Sequence, residues 1–360
     1  MNLRAETQCF SDVFHHSQAI TNWTQRYDQI SPGSASTTLR QISGQRFHVF
    51  RELINQRVLQ QGSAPRNRLC FALPVIRTVA PIVQGRAVSC PSLLMLRGGD
   101  EFIVHLPCDT EVMAFTIDRA LMAEHEHIML AGLLDRILKQ PVLPLPVPRY
   151  QAAVDRLQSL LCQALDSESL TDHDAFDETV LAHAIVGILF DLVQPDDEEG
   201  RTLPHMSTQS YIVRKSQEIA LESDSDVLTV LDLCRRLKIS RRTLQYSFQN
   251  IAGTTPTAYL RSIRLNAVRR CLMATPSTVR IGDASAQFGF WHFGRFSSYY
   301  HEHFHELPSQ TPRADAMHAW GNSRPALKAS IADSGQDHEF RCRTVNRRLP
   351  DSVSLSPPEV

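Results

Sequence analysis

The stretch from Leu233 to Gly282 constrains this chain most, because it holds ten Arg and Lys residues and no Asp or Glu. The whole chain of 360 residues has a formal net charge of -1, so the basicity is local and indicates a local anionic partner. A phosphate backbone is the first candidate, because neutralising it releases condensed counterions. A solvated helix surface is the alternative, but such surfaces usually mix both signs of charge.

The basic stretch contains the pattern of two helices joined by a tight turn. VLTVLDLCRRLK predicts the first helix, and Ser240 can begin the second by accepting a backbone N–H bond. Leu244 and Phe248 are one turn apart and should face inward, which leaves a basic and polar outer face of Arg241, Arg242, Gln245 and Gln249. This is the helix-turn-helix pattern, whose second helix enters the major groove.

The same pattern returns at Val279–Phe288, with a turn at Gly289–Phe290 and a second recognition helix in WHFGRFSSYYHEHF. Phe296, Tyr300 and Phe304 repeat every four residues and should face inward. The side chains left outside are His292, Arg295, Ser298 and Tyr299.

A helix from Pro256, capped by Thr255, should join the two units and end near Met273. Its roughly 17 residues span about 26 Å. With the width of the units added, this rod can hold two recognition helices about one DNA turn, roughly 34 Å, apart. A monomer would then contact two successive major grooves.

The predicted DNA contacts follow from these faces. Arginine can reach guanine O6 and N7, and glutamine can reach adenine N6 and N7. For base readout we predict Arg241, Arg242, Gln245, His292 and Arg295. For phosphate contacts we predict Ser240, Arg261, Arg264 and Arg280, with Arg269 and Arg270 as further candidates.

These motifs resemble the C-terminal DNA-binding domain of the AraC/XylS family of bacterial transcription regulators. The resemblance is carried by ISRRTLQYSF, the Pro256 helix ending in IRLNAVRR, GFWHFGRF and LPSQT. Within that family, the chain is most similar to regulators of ethanolamine operons, through TNWTQRYDQISPG, FHVFREL and TVLDLCRRLKISRRTLQ. The resemblance implies an activator that binds double-stranded DNA, contacts RNA polymerase and takes ethanolamine and adenosylcobalamin as co-inducers. Gly294 departs from the family by replacing the usual Ser.

The rest of the chain predicts an α+β protein, with a β-rich N-terminal sensor ahead of the all-α tandem helix-turn-helix domain. Short apolar runs bounded by proline predict a small antiparallel barrel or sandwich able to enclose a ligand, with Gly98-Gly99-Asp100 as a hairpin turn. The apolar helix from Val180 to Val193 is expected in a core or in a homodimer interface. The predicted divisions are a sensor at 1–193, with strands at about 38–121 and helices at about 118–193, a linker at 194–208, the DNA-binding domain at 209–320 and a disordered tail at 321–360.

Other function classes find little support. HEHFH at 301–305 fits H-E-x-x-H, which leaves a zinc hydrolase as a remote alternative, but Phe304 is needed for the apolar spacing. His125 and His127 would point to different helix faces. We therefore predict no catalytic residue and no metal. The eight cysteines lack a C-x-x-C pair and are read as reduced, mostly buried thiols. No apolar run reaches about 18 residues, so a cytoplasmic, nucleoid-associated protein is expected. A different effector, or repression instead of activation, remains open.

Overall fold

The computed structural model describes residues 3–75, 79–88, 91–124, 141–166, 178–194, 208–222 and 228–314. Two antiparallel sheets with helices form the N-terminal part, and helices alone form the C-terminal part. The predicted α+β fold class is therefore confirmed. His125, His127, most of the predicted linker and the predicted tail lie outside the described residues.

Twelve strands are defined within the described ranges. A seven-stranded sheet has the order β1-β3-β4-β11-β6-β9-β12, and a five-stranded sheet has the order β2-β5-β10-β7-β8. The strands are β1 Arg4–Phe10, β2 Thr24–Gln29, β3 Thr37–Ser43, β4 Phe47–Ile54, β5 Val58–Ser63, β6 Arg68–Val75, β7 Ile82–Val83, β8 Arg86–Ala87, β9 Ser92–Arg97, β10 Glu101–Leu106, β11 Thr110–Asp118 and β12 Val142–Pro144.

The N-terminal helices are α1 Val13–Ala19, α2 Arg119–Glu124, α3 Val147–Asp166 and α4 Glu178–Val193. The C-terminal helices are α5 Thr208–Glu222, α6 Val230–Leu237, α7 Arg241–Ala252, α8 Pro256–Ala274, α9 Ile281–Gln287 and α10 Phe293–Phe304. Within the described ranges, none of the helices combines the length and apolar character needed to cross a bilayer.

The N-terminal part has three layers, which are helices α3 and α4, the seven-stranded sheet and the five-stranded sheet. Strand β4 shows why, because Phe47 and Val49 pack against α3 and α4, whereas Phe50 and Ile54 face the five-stranded sheet. Both faces of the central strands β4 and β11 are thus buried. Helix α4 contributes Leu181, Ile185 and several neighbours to the core between the helices and the seven-stranded sheet. Of the two environments predicted for this helix, a core or a homodimer interface, the core is therefore correct for most of its length.

Three sequence predictions need correction. The strands begin at Arg4, well before the predicted start near 38. Strands β1 and β2 were missed because they lie at sheet edges, where half-exposed strands carry polar residues such as those of TQRYDQ. Strand β12 falls inside the range predicted as helical. Gly98-Gly99-Asp100 does turn the chain, with Gly99 at φ 87°, but β9 and β10 belong to different sheets and form no hairpin.

Helix α8 supports two C-terminal cores. Its first half gives Tyr259, Leu260 and Ile263 to the core formed with α5, α6 and α7. Its second half gives Val268 and Leu272 to the core formed with α9 and α10. The predicted rod therefore belongs to both helix-turn-helix units at once.

The cysteines follow the prediction only in part. Six lie in the described ranges and all are free thiols. Cys70, Cys234 and Cys271 are buried, whereas Cys9 and Cys108 are exposed. Burial raises the pKa of the Cys70 thiol to about 12, so it stays protonated.

Candidate nucleic-acid interface

The first helix-turn-helix unit is built by strong local signals. Thr229 and Asp232 form a reciprocal capping box at the start of α6. Lys238 ends that helix in the left-handed region at φ 54°, and the Ser240 hydroxyl then caps α7 by accepting from the Thr243 N–H at 3.0 Å. Leu244 and Phe248 are fully buried, as predicted.

The outer face of α7 is open to solvent. Arg241, Arg242 and Gln245, the three predicted base-reading residues of this unit, are all exposed. Gln249 and Tyr246 continue the same exposed surface. Their placement is compatible with major-groove readout, although their roles as base contacts stay predictions.

The second unit packs through a ladder of aromatic rings. Phe296 and Tyr300 are fully buried, and their ring centroids lie 5.5 Å apart. Tyr300 and Phe304 follow at 4.7 Å, and Gly289 makes the preceding turn at φ 80°. The predicted inward spacing of this helix is correct.

The predicted readout residues of the second unit lie on its open side. His292 and Arg295 are both exposed at the first turn of α10. The same turn carries Trp291 and Phe293, which we did not predict as contacts although both are more than half exposed. Trp291 does not fit the Phe296–Tyr300–Phe304 spacing, which was the signal that could have found it, whereas Phe293 lies one turn before Phe296 and could have been expected to face inward.

The predicted phosphate contacts divide into two groups. Arg280 is exposed at the start of α9, and Ser240 is exposed beside the first turn of α7. Arg261 and Arg264 instead join α8 to the second unit, because their guanidinium groups lie 4.0 Å from the Tyr299 ring centre and 5.3 Å from the Phe290 ring centre. Tyr299 is therefore half-buried rather than fully outside, and burial lowers the pKa of Arg264.

The opposite side of α8 docks against the N-terminal part, which we call the sensor after its predicted role. Asn266 bridges the two parts, since its Oδ1 accepts from the Gln29 N–H at 3.0 Å and its Nδ2 donates to the Gln29 carbonyl at 2.8 Å. Asp28 forms ion pairs with Arg270 and, at 3.5 Å, with Arg26.

Further contacts extend this docking surface to both helix-turn-helix units. Arg269 pairs with Asp12 of the sensor and, at 3.1 Å, with Glu306. Arg269 and Arg270, the further phosphate candidates, are thus engaged by the sensor in this arrangement. On the side of the first unit, Gln217 of α5 contacts His105 of β10, and burial lowers the pKa of His105 to about 3.

The HEHFH run serves the docking surface and the aromatic core. His303 is buried, and its Nε2 lies 3.0 Å from the Gln29 carbonyl, while Phe304 packs inside. His301 and His305 do lie side by side, with ring centroids 6.4 Å apart. Across the described ranges, however, no cluster of three or more His, Cys, Asp or Glu could hold a metal ion.

A cavity of about 80 Å³ lies between the two sheets of the sensor. Most of its lining is apolar and aromatic, including Trp23, Phe50 and Phe102. The lining also holds the Glu52 carboxylate, which accepts from the Tyr27 hydroxyl at 3.0 Å and from Gln60 Nε2 at 2.9 Å. Burial, together with the charge of Glu52, raises the pKa of Tyr27 and keeps its hydroxyl a donor.

Comparisons with known proteins agree with this geometry. Residues 233–314 match a family model described as a helix-turn-helix domain. The chain is 27% identical over 239 residues to the "Probable thc operon regulatory protein" of Rhodococcus erythropolis, covering 66% of this chain and 70% of that protein. It is 42% identical over 76 residues to an XylDLEGF operon transcriptional activator of Pseudomonas putida, covering 21% of this chain and 24% of that activator.

Among solved structures, the AraC-like transcriptional activator CuxR aligns with a TM-score of 0.39 at 13% identity, covering 73% of this chain and 94% of CuxR. The relatives are transcription regulators and not enzymes. Residues 233–314 are therefore a helix-turn-helix domain, and the chain is similar to known transcription regulators.

Proposed function

We propose that this protein is a ligand-responsive transcription activator that acts in the cytoplasm at the nucleoid, binds operator DNA and contacts RNA polymerase. The observation that carries the proposal is the double role of strand β2. Tyr27 lines the sensor cavity, while the next two residues, Asp28 and Gln29, hold α8 between the two helix-turn-helix units. A ligand that shifts Tyr27 would act directly on the strand that grips the DNA-binding domain.

The cavity favours a small organic ammonium compound as the effector. Glu52 is buried at the cavity with His16, Tyr27 and Gln60 as its polar partners, and an ammonium group would supply it with a full counter-charge. The aromatic faces of Trp23, Phe50 and Phe102 can add cation–π attraction. The buried indole N–H of Trp23 has no hydrogen-bond partner in the described part of the chain, so it could donate to a ligand hydroxyl.

Ethanolamine has both of these groups, and we propose it as the effector, with an ethanolamine-utilisation-type operon as the target. Its ammonium would pair with Glu52 and its hydroxyl would accept from Trp23. The similarity to ethanolamine-operon regulators at TNWTQRYDQISPG, which contains Trp23 and Tyr27, also supports this choice.

Adenosylcobalamin, the second co-inducer that the resemblance implies, does not fit this cavity. A volume of about 80 Å³ is below even the roughly 300–1,000 Å³ of ordinary small-molecule pockets. If adenosylcobalamin acts on this protein, it binds outside the space between the sheets.

The apolar character of the lining supports a second candidate effector, a larger amine with an aromatic body, and the two sheets would have to move apart to admit it because the cavity is only about 80 Å³. Leu94, Met95, Val104 and Val112 would contact such a body, whereas ethanolamine offers them only two methylene groups. This alternative keeps the ammonium–Glu52 pair and changes only the apolar part of the ligand.

Activation is proposed because the XylDLEGF operon proteins of Pseudomonas putida are named as transcriptional activators. Homodimer formation is proposed through α4, on which Val180 and Phe190 are exposed beside the buried face. Repression through the same DNA-binding surface is the corresponding alternative.

The effector proposal is tested by calorimetry on the full-length protein. Ethanolamine, adenosylcobalamin and 2-phenylethylamine are titrated separately, and the first two also together. We expect saturable binding of one amine that Glu52→Gln weakens by at least tenfold, because the ammonium loses its counter-ion. Glu101→Gln, which removes an exposed carboxylate on β10, should bind like the wild type. No binding of either amine would refute an ammonium effector and leave DNA binding untouched.

A further inference from the structure

Two exposed aromatic side chains stand at the start of the second recognition helix. Trp291 is 74% exposed, the largest value among the bulky apolar side chains in the described ranges. Phe293 is 53% exposed. The two flank His292, which precedes the first turn of α10.

Packing of the second unit does not account for this exposure. The inward face of α10 is already formed by Phe296, Tyr300 and Phe304. The Phe293 ring centre lies 6.1 Å from that of Phe296, so one side of Phe293 rests on the core and the other faces solvent. Apolar surface kept at such a position marks a site of interaction rather than of folding.

The surroundings of the aromatic pair indicate the partner. Arg295, an exposed neighbour, carries positive charge and would favour an anionic surface, and His292 is exposed beside it. Gly294 brings no side chain, and the space where its Cβ would stand is open, so the first turn of α10 can approach a partner closely. The surface is therefore an apolar patch with basic groups beside it.

The DNA major groove matches this combination. Its base edges carry one apolar group, the 5-methyl of thymine, and this group lies between two rows of phosphates. The N-terminal residues of a recognition helix are also the ones that reach base edges.

We propose that Trp291 and Phe293 contact thymine 5-methyl groups in the major groove. The second unit then selects T·A pairs through apolar contact, whereas the exposed Arg and Gln side chains of α7 select by hydrogen bonding. This inference rests on the DNA-binding function and adds the two residues that set the preference of the second unit.

Replacing thymine with deoxyuridine provides the test, because it removes the methyl group and leaves every hydrogen-bonding group of the base in place. A duplex is first selected from a random library with the full-length protein, and each thymine is then replaced in turn. Wild-type protein should lose about fourfold in affinity for each contacted methyl group. Trp291→Ala should weaken binding to the thymine duplex and abolish the effect of deoxyuridine at the contacted position. Phe293→Ala should do the same at its own position.

Two control variants make the result specific. Val147→Ala truncates an exposed apolar side chain at the start of helix α3, and it should bind every duplex like the wild type. Trp291→Met keeps an apolar side chain and should keep part of the deoxyuridine effect. Circular dichroism of each variant checks folding, which an exposed side chain should not disturb.

The proposal is overturned if Trp291→Ala and Phe293→Ala leave both affinity and deoxyuridine sensitivity unchanged while the protein still selects a duplex. It is also overturned if these variants bind DNA normally and lose only transcription in vitro, which would assign the patch to RNA polymerase. Failure of the wild-type protein to select any duplex would refute DNA binding itself, and this inference with it.

Discussion

Replacing Asn266 with alanine should loosen the sensor from the DNA-binding domain. The Asn266 side chain pairs with both backbone groups of Gln29, at the outer edge of strand β2. After the substitution the Gln29 carbonyl keeps His303 as a partner at 3.0 Å. The Gln29 N–H, buried at 1% residue exposure, loses its acceptor.

The expected cost follows from this difference between the two backbone groups. Leaving the buried Gln29 N–H without an acceptor costs about 1–3 kcal/mol. Losing the second hydrogen bond, from Asn266 Nδ2 to the Gln29 carbonyl, adds about 1 kcal/mol. The docked arrangement should therefore lose about 2–4 kcal/mol. If the whole docking surface separates in one step, this free energy corresponds to a roughly 30- to 900-fold increase in the fraction of molecules in which the sensor is undocked.

Hydrogen exchange at Gly33 measures the effect away from the mutated side chain. The Gly33 N–H donates across the docking surface to the His303 carbonyl at 3.1 Å, and it does not contact Asn266. Its exchange rate should rise by the same factor in Asn266→Ala. The matched control is Asn250→Ala, which removes an exposed amide contact to Gln209 within the C-terminal part and should leave Gly33 unchanged. Equal Gly33 exchange in the wild type and Asn266→Ala would refute the view that this side chain holds the domains together.

Two further predictions concern base readout by Arg241 and the pH dependence of folding stability. Arg241→Ala should cost about 1–3 kcal/mol of binding and relax sequence preference if Arg241 reads a base, whereas equal losses on all duplexes would make it a phosphate contact. Burial lowers the pKa of His303 to about 4. As the pH falls, His303 is therefore protonated in the unfolded chain before it is protonated in the folded chain. The free energy of unfolding should decrease by about 3 kcal/mol as the pH falls from about 6.5 to 4. Urea unfolding across this range should show a smaller loss in His303→Gln, and an identical loss would contradict the assignment.

The readout faces could be predicted from sequence because they depend on local spacing. Leu244 and Phe248 fix the orientation of α7, and the outward residues follow from helical geometry alone. The same reasoning oriented α10 from Phe296 and Tyr300. Trp291 has no place in this pattern, because it is neither an inward apolar position nor a polar outward one.

The roles of the α8 arginines could not be predicted, since each depends on a partner distant in sequence. Arg261 meets Tyr299 and Arg264 meets Phe290, so both arginines contribute to packing. Asp28 meets Arg270 across 242 positions of the chain. Strand β2, which presents Asp28, lacks the apolar run that would have shown it to be a strand.

The absence of acids between Leu233 and Gly282 thus has a second explanation besides DNA. The sensor supplies Asp12 and Asp28 to this stretch from outside, and they pair with Arg269 and Arg270. The charge offered to phosphates therefore depends on docking. Lifting β2 from α8 would free Arg270 and leave Arg269 paired with Glu306 alone, while the two carboxylates left with the sensor. Because each phosphate contact steepens the salt dependence of binding, an effector that undocks the sensor would change the salt dependence of DNA binding and not merely its strength.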